Sequence, residues 1–166
     1  ARTYGGTETY SATSVRETFD GGFVVAGSMR TPAGRNSIWV LKLDGRGGVE
    51  WQRSYGNGGA YWVQQTRDGS FVVAGGIETP PSGFLDGVVL KLDAHGGIVW
   101  QKAYGAVSPG GGFHLVQPTP DGGYVVAGDI ARAMKSSTLC IAVPYTPVPA
   151  FLGAPQFDKV AAARLI

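Results

Sequence analysis

Asp68-Gly69-Ser70-Phe71-Val72-Val73-Ala74-Gly75 decides the fold, because the chain carries this stretch three times. The earlier copy is Asp20-Gly21-Gly22-Phe23-Val24-Val25-Ala26-Gly27, and the later one is Asp121-Gly122-Gly123-Tyr124-Val125-Val126-Ala127-Gly128. Other landmarks keep the same step: Leu-Lys-Leu-Asp at 41–44 and 90–93, Trp51 and Trp100, and the pairs Tyr4-Gly5, Tyr55-Gly56 and Tyr104-Gly105. The period is about 50 residues, which is the scale of repeat architectures.

Each period reads as four short strands separated by turn signals. The first covers Ser11 to Thr18, Ala60 to Arg67 and Phe113 to Thr119. It leads into Asp-Gly, a hairpin signal whose glycine takes positive φ without steric cost. The second is the Phe/Tyr-Val-Val-Ala-Gly run. The third is Ser37 to Asp44 and Asp86 to Asp93, with a degenerate copy at Thr138 to Val143, and the fourth is Val49 to Tyr55 and Ile98 to Tyr104. In the third strand Trp39, Leu41 and Leu43 share one face, while Val40 and Lys42 take the other.

The second strand is apolar on both faces, so it needs cover on both, and stacked small sheets supply it. Four antiparallel strands in such a period are the pattern of a β-propeller blade. The expectation is an all-β, propeller-type repeat of four-stranded antiparallel blades, with three repeats over residues 1–143.

These motifs resemble those of secreted or surface-exposed bacterial and archaeal proteins with tandem DGGYVVAG...KLD..G.V.W...YGG repeats. The likeness rests on Asp20 to Gly27, Lys42-Leu43-Asp44, Trp51, Tyr55-Gly56 and their further copies, and covers residues 1 to about 143. It implies β-propellers that act as non-catalytic modules, and an extracytoplasmic location. Trp51 and Trp100 also resemble the docking tryptophans of quinoprotein dehydrogenases, which implies blade-to-blade packing by the indole.

Three blades fall short of the usual minimum of about four. Arg2-Thr3-Tyr4-Gly5 reads as the end of a fourth strand, and the third repeat has no fourth strand of its own. Two arrangements follow: an open arc, or half of a dimeric six-bladed ring in which Arg2 to Tyr4 of one chain completes the third blade of the other. Residues 144–166 open with Pro144, Pro147 and Pro149, which cannot sit in a central strand, and Asp158 to Ile166 has the composition of a short helix.

Fourteen Lys/Arg against twelve Asp/Glu give a formal net charge of +2, with basic residues scattered, so no electrostatic footprint for nucleic acid is present. One cysteine, Cys140, allows no intrachain disulfide. No apolar run approaches the roughly 18 residues of a membrane span, and no signal-peptide layout opens the chain. No cofactor is expected. His95 and His114 do not recur and have no evident acidic partner, and the repeated Asp20, Asp68 and Asp121 suit turn chemistry better than calcium ligation.

Scaffold positions repeat, so binding residues are sought where repeats differ. The connections from second to third strand, Ser28 to Asn36, Gly76 to Leu85 and Asp129 to Ser137, differ most and carry Arg30, Arg35, Phe84 and Arg132. Trp62, Tyr61 and Phe113, at or near the start of the first strand, form a candidate sugar-stacking platform. The reading is a non-catalytic interaction or structural subunit that binds protein or self-associates through an unpaired blade edge. A carbohydrate-binding propeller is the alternative, and a fragment of a propeller enzyme such as a quinoprotein comes third.

Overall fold

The computed structural model describes residues 2–79, 84–104, 111–120, 122–132 and 135–143, and every regular element among them is a strand. Sheet 1 contains β1 (Thr9–Glu17), β2 (Phe23–Arg30), β3 (Asn36–Leu43) and β4 (Val49–Tyr55) in that order. Sheet 2 repeats the arrangement with β5 (Gly58–Gln65), β6 (Phe71–Thr79), β7 (Phe84–Leu92) and β8 (Ile98–Tyr104). Sheet 3 has β9 (Gly111–Pro118), β10 (Tyr124–Arg132) and β11 (Lys135–Val143). All neighbouring strands are antiparallel. The fourth strands match their expected bounds, and the first strands begin two residues early. No helix among the described residues is long and apolar enough to cross a membrane. The expected tail at 144–166 lies outside the described residues.

The Asp-Gly turns behave as their chemistry demands. Gly21, Gly69 and Gly122 have φ of 75°, 80° and 86°, values that a side chain would oppose. In sheet 2 the Thr66 amide donates to the Ser70 carbonyl at 2.8 Å, closing the turn. The second-to-third connections are shorter than expected, because β2, β6 and β10 run well past the glycine motif. In sheet 1 only residues 31–35 separate β2 from β3.

The last glycine of the repeated stretch has a separate cause. Each first strand is bulged opposite it: pairing shifts between Ala12 and Ser14, between Ala60 and Trp62, and at the Ala127/Gly128 step of β10. At Gly27, Gly75 and Gly128 an added Cβ would lie 1.9, 2.2 and 2.1 Å from the carbonyl oxygen of Ser11, Gly59 and Gly112. Glycine is required by this close approach at the bulge.

The sheets stack face to face through two apolar layers. Val24, Ala26, Ile38, Val40 and Tyr55 of sheet 1 cluster with Val63, Phe71, Val73, Val88, Leu90 and Leu92 of sheet 2. The other face of sheet 2, with Val72, Ala74, Val89 and Tyr104, meets Phe113, Val116, Tyr124 and Val126 of sheet 3. Sheet 2 is therefore covered on both sides, as the two-sided apolarity of β6 requires. Burial of each large side chain contributes about 1.5–3 kcal/mol.

Candidate functional site

The repeated polar residues come together at the turn end of the stacked sheets. Lys91 on β7 is buried, yet its Nζ donates to Thr66 Oγ1 at 2.6 Å and to both Asp68 oxygens at 3.1 and 3.0 Å. Lys42 on β3 likewise donates to Asp20 at 2.8 Å and to its neighbour's carbonyl, Leu43 O, at 2.9 Å, with Glu50 at 3.3 Å. Partial burial would raise the Asp68 carboxyl, but hydrogen bonds from Thr66, Lys91 and the Ser70 amide outweigh it and bring the group down to about 2. Bonds from Lys42, Thr18 and the Gly22 amide hold Asp20 well below the usual carboxylate range. These lysines were expected simply on the alternate face of the third strand. Their recurrence 22 and 23 residues after Asp20 and Asp68 was the signal for a pair.

The tryptophans bridge neighbouring sheets. Trp51 of β4 meets Phe71 edge to face at 5.8 Å, and its Nε1 donates to Ala94 O at 3.0 Å. Trp100 of β8 meets Tyr124 in the same manner at 5.5 Å. Beside Trp51, Tyr55 donates its hydroxyl to Gly96 O at 2.7 Å. Burial pushes the Tyr104 phenol up to about 12.

The bulged residues Thr13, Tyr61 and His114 form a row along the first strands. Thr13 Oγ1 donates across to Ala60 O of sheet 2 at 2.7 Å, and the Tyr61 ring stacks on His114 of sheet 3 at 5.1 Å. His114 Nε2 lies 3.2 Å from Asp129, an acidic partner not apparent in the sequence because the bulge and the longer β10 bring the two together. Both are more than half exposed, where such a pair contributes little. Among the described residues no group of three His, Cys, Asp or Glu side chains could hold a metal ion.

The expected binding residues do not form one site. Arg35 lines a cleft of about 580 Å³ between sheets 1 and 2, together with Thr13, Ser28, Tyr61 and Glu78. Arg30 is exposed at the end of β2, beside Gly34. Trp62 is half-buried under the Arg16 guanidinium, 4.0 Å from its ring centre, and its Nε1 is buried with no hydrogen-bond partner among the described residues. Phe113 has no exposed surface, because its ring packs against Gly87 and Tyr104 between sheets 2 and 3. An aromatic platform made of Trp62, Tyr61 and Phe113 is therefore not assembled: the bulge of β9 at His114 turns Phe113 into the core, and Tyr61 stacks on His114 instead. Phe84 and Arg132 are strand residues, and their side chains lie outside the described part.

What the fold leaves open is an apolar surface at each end of the stack. Sheet 1 exposes Val15 and Phe23, and sheet 3 exposes Leu115 and Val125. On β11, no strand among the described residues pairs with the edge opposite β10. No protein-family model matches the chain, and no curated protein matches it.

Proposed function

We propose that this chain is a propeller-type repeat protein of three blades, the third incomplete, acting as a non-catalytic interaction or structural subunit that binds protein. The observation that carries the reading is the employment of the repeated residues. The aspartates and lysines neutralise one another at the turns, the tryptophans join sheets, and the glycines admit the bulges. Among the described residues none of these is left over for a reaction. The remaining distinctive surface is apolar and lies at the two ends of the stack, where protein partners bury such area.

This reading calls for no cofactor, and the extracytoplasmic setting implied by the motif resemblance belongs to the same proposal. A broad glycan array tests it against the carbohydrate-binding alternative. Protein recognition predicts no glycan retained above background. Retention of a glycan that is lost on Trp62→Ala would overturn it.

A further inference from the structure

We infer that the open face of sheet 1 is the seat for sheet 3 of a second copy of this chain, so that two copies close head to tail into a ring of six sheets. The inference rests on the repeat reading above and specifies its partner. Its starting point is a comparison of like residues in unlike surroundings. Val15, Val63 and Val116 pair with Val25, Val73 and Val126 at equivalent places in the three sheets. Val63 and Val116 are 0% exposed, whereas Val15 is 58% exposed. Phe23 is 39% exposed, against 1% and 6% for its counterparts Phe71 and Tyr124. In sheets 2 and 3 the cover is the preceding sheet; among the described residues no sheet lies over this face of sheet 1.

The opposite end shows the other half of the same deficit. Val24 and Val72 are sealed by the following sheet, while Val125 at the equivalent place is 36% exposed. The two open faces are thus the two different halves of an interface that the chain already builds twice internally. Faces of this kind complement one another head to tail, as a heterologous contact that forms a ring when the rotation closes. Six sheets lie within the usual propeller range of about four to eight, and the three among the described residues lie below it.

The N-terminal segment already occupies part of this seat. Tyr4 donates its hydroxyl to Gly47 O at 2.9 Å, as Tyr55 does to Gly96 O at 2.7 Å. Arg2 lies against Gly47 as Arg53 lies against Gly96. Tyr4 and Tyr10 pack over Trp39, Leu41 and Leu43 at the outer part of the face, leaving Val15 and Phe23 open. Arg2–Tyr4 therefore holds sheet 1 as the end of β4 holds sheet 2. A sheet seated on sheet 1 would receive this segment beside its third strand, and β11 has an edge free for it among the described residues. Addition of a strand to such an edge is a recurrent mode of association.

Light scattering on the purified chain and two variants tests the inference. The unaltered protein is expected at twice 17.3 kDa. Phe23→Glu and Val125→Glu each place a carboxylate in both copies of the contact and should weaken the dimer by at least about 100-fold. Both positions are already partly exposed, and circular dichroism should show the folded spectrum for each. A one-to-one mixture of the variants restores one unblemished contact and should recover a dimer. A monomeric unaltered chain at tens of micromolar, with its ends covered by other parts of the same chain, would overturn the inference. So would a Val125→Glu dimer as tight as the original, since that marks a face-to-face contact between two copies of sheet 1. A monomer that retains no glycan removes the second copy while keeping the protein-binding reading.

Discussion

Asp68 and Lys91 show how a single pair of residues serves the whole repeat. A buried ammonium is tolerated because Thr66 and both carboxylate oxygens meet it. Removing the carboxylate strands that charge, whereas removing the lysine leaves an aspartate that is still largely in water, its side chain 61% exposed. Asp68→Asn should therefore cost about 2 kcal/mol and Lys91→Met less than about 1 kcal/mol, as measured by urea unfolding at neutral pH. The pH dependence has a definite sign. The folded state lowers the Asp68 carboxyl to about 2, so its contribution is present above the unfolded value of about 4. It is lost as pH falls through about 2. Asp68→Asn should remove that part of the acid sensitivity, and an unchanged profile between pH 4 and 2 would contradict the assignment. Turn chemistry for Asp68 was legible from Asp-Gly alone. The lysine was not, because period-two patterning reports which face a residue takes and not what lies beyond that face.

At the scale of the element, strand positions were written in the turn residues and the alternation, and the fourth strands needed no adjustment. The lengths of β2, β6 and β10 were less legible. Ser28, Gly76 and Asp129 look like loop residues by composition, but pairing with the third strand carries the ladder through them. The bulge was hidden for a different reason: it depends on backbone approach between strands, which no single-strand pattern records. It accounts both for the glycine after Val-Val-Ala and for the inward turn of Phe113. Gly75→Ala forces a methyl toward the Gly59 carbonyl at 2.2 Å, and overpacking of this kind should cost about 3 kcal/mol. Urea unfolding gives the value. A loss no larger than that of Gly→Ala at Gly59, where an added Cβ would meet only Ser28 at an ordinary 3.6 Å, would show that the bulge yields easily.

For the molecule as a whole, the near-identity of the repeats announced stacked sheets, and the third repeat was read as lacking a fourth strand of its own. What the sequence lacked was the contrast between identical residues buried in one sheet and bare in another, which only packing reveals. That contrast also sets a register for the proposed association. Arg53 and Lys102 pair with Val40 and Val89, which pair in turn with Ala26 and Ala74. The equivalent Ala127 pairs with Cys140, so Arg2 of a second copy should lie opposite Cys140, the chain's only cysteine. Opposed antiparallel residues are about 4.5–5.5 Å apart at Cα, within disulfide reach. The decisive measurement is peptide mapping by mass spectrometry after mild oxidation of Arg2→Cys, with Thr3→Cys, whose side chain takes the other face, as control. The predicted result is a covalent dimer of Arg2→Cys in which position 2 of each copy is bonded to Cys140 of the other, absent from the control. A bond between 2 and 140 of one chain, or no more cross-linking than in the control, would contradict it.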